Sequence, residues 1–319
     1  MMTKLGDLRF LGNGLRRPEC VLATASGDLF VTDSEGVAIV SGDGAVRRIA
    51  AHNRPEGFLP NGIALLPGRD VLIADLGPGG GVWHLKPSGA FTPWLMEVDG
   101  KQLPPTNFIG VDRHGRRWVT VSTWLFPRTL AAKPGWGDGF IVLDDGRGAR
   151  IVAEGIGYTN EAVVSPDGRF LYVNETYGRC LSSFPIRPDN SLGTKEVVCA
   201  FGPGTFPDGL AHDAEGNVWI VSVVSNRVIK VDTNSGKADI LFEDCDPTAL
   251  AEVEAEFVKD GGNAEKRFAV GANATTSNLA SIAFGGAGLR TIYCGSLGGE
   301  RLFCFSSPVA GAEPPHWRH

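Results

Sequence analysis

Five residues could do chemistry together: Glu19, Asn61, Asn107, Asn160 and Asp208. Each opens a short apolar segment and stands a few residues ahead of a turn-like run, respectively ASGD, PGRD, DRHG, SPDG and DAEG. Side-chain oxygens are their common property. Two carboxylates and three amides form the kind of donor set that hard divalent cations such as Ca²⁺ take, and the lack of His and Cys counts against zinc. Without a cation, Glu19 and Asp208 would place two negative charges in one desolvated site. Taken singly, each residue is also what caps a turn at a strand start. Recurrence separates the two readings.

The recurrence is a property of the whole chain. RPECVLATASGDLFVTDS, LPNGIALLPGRDVLIADL, PTNFIGVDRHGRRWVTVS, YTNEAVVSPDGRFLYVNE and FPDGLAHDAEGNVWIVSV share one plan: a polar residue, an apolar strand, a Gly-containing turn and a second apolar strand. A third strand follows each, and LASIAFGGAGLRTIYCGSLGGERLFCFS is a looser sixth copy. The second strands are apolar on nearly every residue, the pattern of strands buried on both faces. Six copies of a strand meander predict a radial stack of sheets: an all-β, six-bladed β-propeller, read as one domain over 1–319. Equivalent positions on first strands then form a ring around the central axis. Topology further predicts that N-terminal LRFLG pairs with the last blade. One segment breaks the pattern. In DPTALAEVEAEFVKDGG, Asp246 suits an N-cap, Pro247 the first helical position and Gly261 the end, so a short helix over 246–261 is expected between blades five and six.

Composition excludes several function classes. The 319 residues are 43% hydrophobic and 21% charged, with a formal net charge of −6. That balance argues against nucleic-acid and anionic-membrane partners, and leaves a small-molecule substrate and a monomer or homodimer. No apolar run reaches membrane-span length, and MMTKLGDLRFLGNG has no signal-peptide core, so the expected compartment is cytoplasmic. Six cysteines without a CxxC pair fit reduced thiols, although a hairpin could bring Cys294 and Cys304 together.

RRPECVL, YTNEAVVSPDGRFLYVNET and FPDGLAHDAEGNVW resemble the blade-one Glu, blade-four Asn and blade-five Asp motifs of the gluconolactonase, regucalcin and luciferin-regenerating-enzyme family of six-bladed propellers. Diisopropyl-fluorophosphatase is a more distant likeness. The resemblance implies that Glu19, Asn160 and Asp208 ligate one divalent metal, Ca²⁺ first, with Zn²⁺, Mg²⁺ or Mn²⁺ as alternatives. Asn107 matches a position that touches metal or substrate. The implied activity is lactone hydrolysis, with Asp208 as the catalytic base or nucleophile. Sugar-lactonase relatives carry an Arg two residues before the blade-three Asn and an Asp directly after it. Here Pro105 and Phe108 stand in those places.

The expected function is therefore metal-dependent hydrolysis of a lactone or related cyclic ester, less polar than a simple sugar lactone. Asn61, Asn107 and Phe108 are candidate substrate contacts, joined by Trp124, Arg128 and Trp136 from the long loop of blade three; Arg128 could supply the missing cation. His212 lies on the same strand face as Asp208 and reads as a packed tunnel residue before it reads as a rival base. Strand alternation predicts that Glu161 faces away from the axis. Organophosphate hydrolysis on the same metal, and a non-enzymatic calcium-binding propeller, are the alternatives.

Overall fold

The computed structural model describes residues 3–319. Six four-stranded antiparallel sheets follow one another along the chain. Their first strands are Val21–Ala23, Pro60–Leu65, Phe108–Val111, Thr159–Val164, Pro207–His212 and Leu279–Gly285. These are the blades of the expected propeller. In five of them the order within the sheet is the order in the sequence. The sixth is completed from the other end of the chain: Arg9–Leu11 pairs with Leu302–Ser306, Arg9 opposite Cys304 and Leu11 opposite Leu302. The predicted closure by LRFLG is present.

Second strands carry the core. Leu29–Asp33, Val71–Asp75 and Val218–Ser222 are buried at every residue, because each lies within its sheet and between two neighbouring blades. The turn before them is also locally determined. Asp112 accepts from the amides of His114 and Arg116 and, through Oδ2, from Nε1 of buried Trp118 at 3.0 Å. Asp213 does the same for Glu215, Asn217 and Trp219, again 3.0 Å to the indole. One carboxylate thus closes the turn and satisfies the indole N–H that a buried Trp must otherwise leave unmade.

The expected helix, α1, spans Pro247–Asp260. Asp246 accepts from the amides of Thr248 and Ala249, Gly261 is left-handed at φ 94°, and Leu250, Val253 and Phe257 are buried. A second helix, α2 (Ala264–Ala272), follows and was not legible in the sequence. The residues it buries are Arg267 and Gly271, so no apolar stripe marks it. Arg267 lies within 5.5 Å of the rings of Tyr177, Phe206 and Phe257 and donates to the Gly261 carbonyl at 2.6 Å. The two helices and the blade-three loop pack over one end of the propeller above blades four and five, in a cluster with Ala131, Tyr158, Tyr177 and Phe206.

All six cysteines are free thiols. Cys294 pairs with Phe303 and Cys304 with Tyr293, so the two cysteines occupy adjacent rungs of the hairpin, not one rung.

Candidate functional site

The five oxygen-bearing residues lie where the chain enters its first strands, and a local distortion aims four of the six equivalent positions. In blades two, four, five and six the ladder slips by one residue, between Pro60 and Ile63, Thr159 and Ala162, Pro207 and Leu210, and Leu279 and Ser281. Such a bulge re-aims side chains and leaves backbone groups unpaired. It releases Asn61, Asn160 and Asp208 from the sheet faces. In blade six the same place is held by Ala280, so the ring receives no oxygen from that side.

The second bulge residue is glycine in blades two and five. A Cβ on Gly62 would meet Phe108 Cα at 2.7 Å, and one on Gly209 the Ala280 carbonyl at 2.6 Å. Blade four has Glu161 there instead. Its side chain is buried and lines the axial cavity below the ring, and its Oε2 accepts from Leu210 N, an amide at the blade-five bulge, at 3.0 Å. This corrects the expectation from alternation: two successive bulge residues share the axial side, so Glu161 faces inwards.

A belt of hydrogen bonds runs from blade to blade around the ring. Thr32 Oγ1 donates to the Asn61 carbonyl at 2.8 Å, and Asn61 Nδ2 to the Asn107 carbonyl at 2.8 Å. Ser122 Oγ donates to the Thr159 carbonyl at 2.9 Å, and Thr176 Oγ1 to the Pro207 carbonyl at 2.8 Å. Asn226 Oδ1 then accepts from Leu279 N at 2.8 Å, and Ser281 Oγ from Val21 N at 3.0 Å.

The amide nitrogens of Asn107 and Asn160 are engaged by neighbouring hydroxyls. Asn107 Nδ2 donates to Ser122 at 3.2 Å and Asn160 Nδ2 to Thr176 at 2.9 Å. Their oxygens are not: Asn107 Oδ1, Asn160 Oδ1 and Glu19 Oε2 are buried and have no partner. Burial drives the Glu19 pKa up to about 7, against the pull of Arg17 and Arg128 and a bond from Asn61. Burial also pushes Asp208 well above the ordinary carboxylate range, with repulsion from Glu19 adding to it. Orphaned oxygens and two ill-solvated carboxylates are what a missing hard cation leaves behind. The residues fit such an ion: Glu19, Asp208, Asn160 and Asn107 would hold it.

Asn61 differs. Its Oδ1 accepts from Arg17 Nη2 at 2.7 Å, while Arg17 Nη1 donates to the Pro60 carbonyl at 2.7 Å. Sequence reasoning missed Arg17. It takes a left-handed conformation (φ 56°) immediately before Pro18, which throws its side chain back towards blade two. The available signal was an arginine two residues ahead of Glu19 in RRPE.

Of the remaining candidates, Arg128 reaches the site. It sits on a short 3₁₀ turn, Arg128–Ala131, over the Tyr158 ring at 5.6 Å, and its Nη1 is buried without a partner. Its charge acts on Glu19, Asp208 and Arg17. Trp124 stacks on Phe140 of blade three at 4.2 Å, and Trp136 Nε1 donates to Asp138, two residues on in the same loop, at 2.8 Å. Phe108 lines the cavity below the ring. His212 is there too, edge-on to Tyr172 at 5.2 Å, and not beside the oxygens. His84 pairs with Asp70 at 2.7 Å, a structural role.

The family model described as SMP-30/Gluconolactonase/LRE-like region matches residues 17–243, well over half the chain and all four candidate ligands. The chain belongs to that family. A curated relative, the 6-deoxy-6-sulfogluconolactonase of Pseudomonas putida, is 28% identical over 123 residues, 38% of this chain and 40% of that protein. The match therefore spans less than half the relative's length. A gluconolactonase from Xanthomonas campestris superposes at TM-score 0.67 with 19% identity, covering 95% of this chain and 91% of that one. A calcium-binding regucalcin from Agrobacterium tumefaciens gives 0.67 and 19% over 98% and 95%. At these identities the structures show a shared fold. No helix among the described residues is long and apolar enough to cross a membrane.

Proposed function

We propose that this protein is a metal-dependent hydrolase of a lactone or related cyclic ester, with its cation, Ca²⁺ first, held by Glu19, Asn107, Asn160 and Asp208. One observation carries the reading: Glu19, Asn107 and Asn160 each keep a buried oxygen without a partner, and the fourth ligand, Asp208, is a buried carboxylate beside the Glu19 charge. A divalent cation bound there supplies Lewis acidity towards an ester carbonyl and the developing oxyanion.

The chain's own groups divide the remaining work. Asp208 is the proton acceptor for attack on the carbonyl. Ser122 and Thr176 fix the Asn107 and Asn160 amides so that their oxygens, not their nitrogens, turn to the ring. Arg17 fixes Asn61. Arg128 over Tyr158 offers an apolar face and one free N–H, which suits a substrate less polar than a simple sugar lactone that carries one carboxylate or hydroxyl. The acidic surface balance and free thiols fit a monomer or homodimer acting on a small molecule in a reducing, cytoplasmic compartment.

The test is a lactone panel assayed with and without chelator, on the wild type and on Asp208→Asn. Chelator-sensitive lactone turnover that is lost in Asp208→Asn supports the reading. Unchanged turnover in that variant removes Asp208 as the base. Turnover of phosphotriesters alone would shift the assignment to organophosphate hydrolysis, and chelator-sensitive melting with no turnover of either class would leave a calcium-binding propeller.

A further inference from the structure

The axial tunnel has a second chamber that the proposed reaction does not use. Below the oxygen ring lies a cavity of about 470 Å³, walled by the lower halves of the first strands, with Cys20, Ile63, Phe108, Val163 and Phe284 among its lining. Its size and apolar walls are those of a small-molecule site.

The floor of the chamber is a strap, residues 312–319, tied to four blades. Ala312 N donates to the His212 carbonyl at 3.0 Å and Arg113 Nη2 to the Glu313 carbonyl at 2.6 Å. Ala25 N donates to the Trp317 carbonyl at 2.7 Å, and His319 Nδ1 lies 3.3 Å from the Leu65 carbonyl.

One polar side chain within this space lacks a hydrogen bond of good geometry. His212 is 7% exposed, and neither Nδ1 nor Nε2 makes a well-formed bond, the Val163 carbonyl being the one acceptor close to it. Burial lowers its pKa to about 4, so near neutrality the ring is uncharged, with one donor nitrogen and one acceptor nitrogen. A hydroxyl can serve whichever nitrogen faces the chamber, since it donates to an acceptor and accepts from a donor. Glu161 stands at the inner end of the chamber, and the apolar walls disfavour a charged ligand.

We propose that the lower chamber is a second binding site, for a neutral and mainly apolar alcohol, aliphatic or aromatic, whose hydroxyl is held by His212. The strap closes over the ligand's apolar end, and the oxygen ring separates it from the metal.

The experiment uses the full chain with calcium and with chelator, and three ligands of one shape: 2-naphthol, naphthalene and 2-naphthoate. Saturable one-to-one binding of 2-naphthol is expected in both conditions, with naphthalene and 2-naphthoate each about tenfold weaker or worse. His212→Leu should erase the preference for naphthol over naphthalene, and His212→Gln should keep part of it. Ala283→Phe and, independently, Val163→Phe should fill the chamber and abolish naphthol binding while calcium affinity stays unchanged, with melting curves confirming that each variant is folded. Absence of saturable naphthol binding, binding that survives both filling changes, or an unaltered preference in His212→Leu would each overturn the proposal.

Discussion

Arg17 Nη2 lies 2.7 Å from Asn61 Oδ1, and that bond takes the side-chain oxygen of one of the five ring residues out of reach of a cation. The same guanidinium acts by charge on Glu19 and Asp208, so it competes electrostatically with any metal they bind. Arg17→Met is expected to tighten Ca²⁺ binding several-fold, the effect of removing one positive charge at roughly 1 kcal/mol in a partly solvated site. Titration calorimetry on the two proteins reads it directly, and weaker binding in the variant would contradict the arrangement.

The amides should separate by their partners. Asn160→Ala removes an oxygen that has no other use and is expected to weaken Ca²⁺ by tenfold or more, about 1.4 kcal/mol or above. Asn61→Ala removes an oxygen already bound to Arg17, so its effect on metal affinity should be much smaller. Equal losses in the two variants would show that Asn61 is a ligand.

The pH dependence of the metal-free protein follows from Glu19. Its native pKa, about 7, lies above the ordinary 4.5, so between those values the native state holds a proton that the unfolded chain has released. Stability of the chelated protein should therefore fall as pH rises through this window, by about 3 kcal/mol for this group alone. Calcium favours the ionised form, so it should flatten the curve, and its apparent affinity should climb up to about pH 7. Melting temperatures across pH 5 to 8, with and without chelator, test both statements.

Over blades four and five, Arg267 carries the largest expected stability effect. Arg267→Ala empties a fully buried space between three aromatic rings and should cost about 3 kcal/mol, seen in denaturant unfolding. Asp246→Ala, which loses the α1 cap, should cost about 1 kcal/mol.

What could be read from the sequence was whatever repeats. Blade boundaries recur in every copy and the oxygen-bearing ring position in five of the six, and recurrence needs no knowledge of packing; the closure by LRFLG follows from the topology they imply. The residues that escaped depend on one-off geometry. Arg17 matters because a single left-handed residue turns it backwards. Glu161 faces inwards because the ladder slips at Thr159 and because blade four lacks the glycine of its neighbours. Helix α2 buries an arginine and a glycine where a stripe of Leu or Val would have announced it. Trp124 and Trp136 stand out in the sequence as loop aromatics, but their partners Phe140 and Asp138 do not.

The pairing of Arg9–Leu11 with Leu302–Ser306 has a consequence for biosynthesis. Glu19 follows the closing strand by a few residues and is sewn to the far end of the chain, where Ser296 N donates to the Pro18 carbonyl at 2.8 Å. The four proposed ligands precede the last blade in the chain, yet the first of them acquires its fixed position only after that blade has been made. A chain that stops short of it carries every proposed coordinating side chain and still lacks their arrangement. Under the proposed metal site, a polypeptide cut short before Leu302 should therefore be unable to hold calcium.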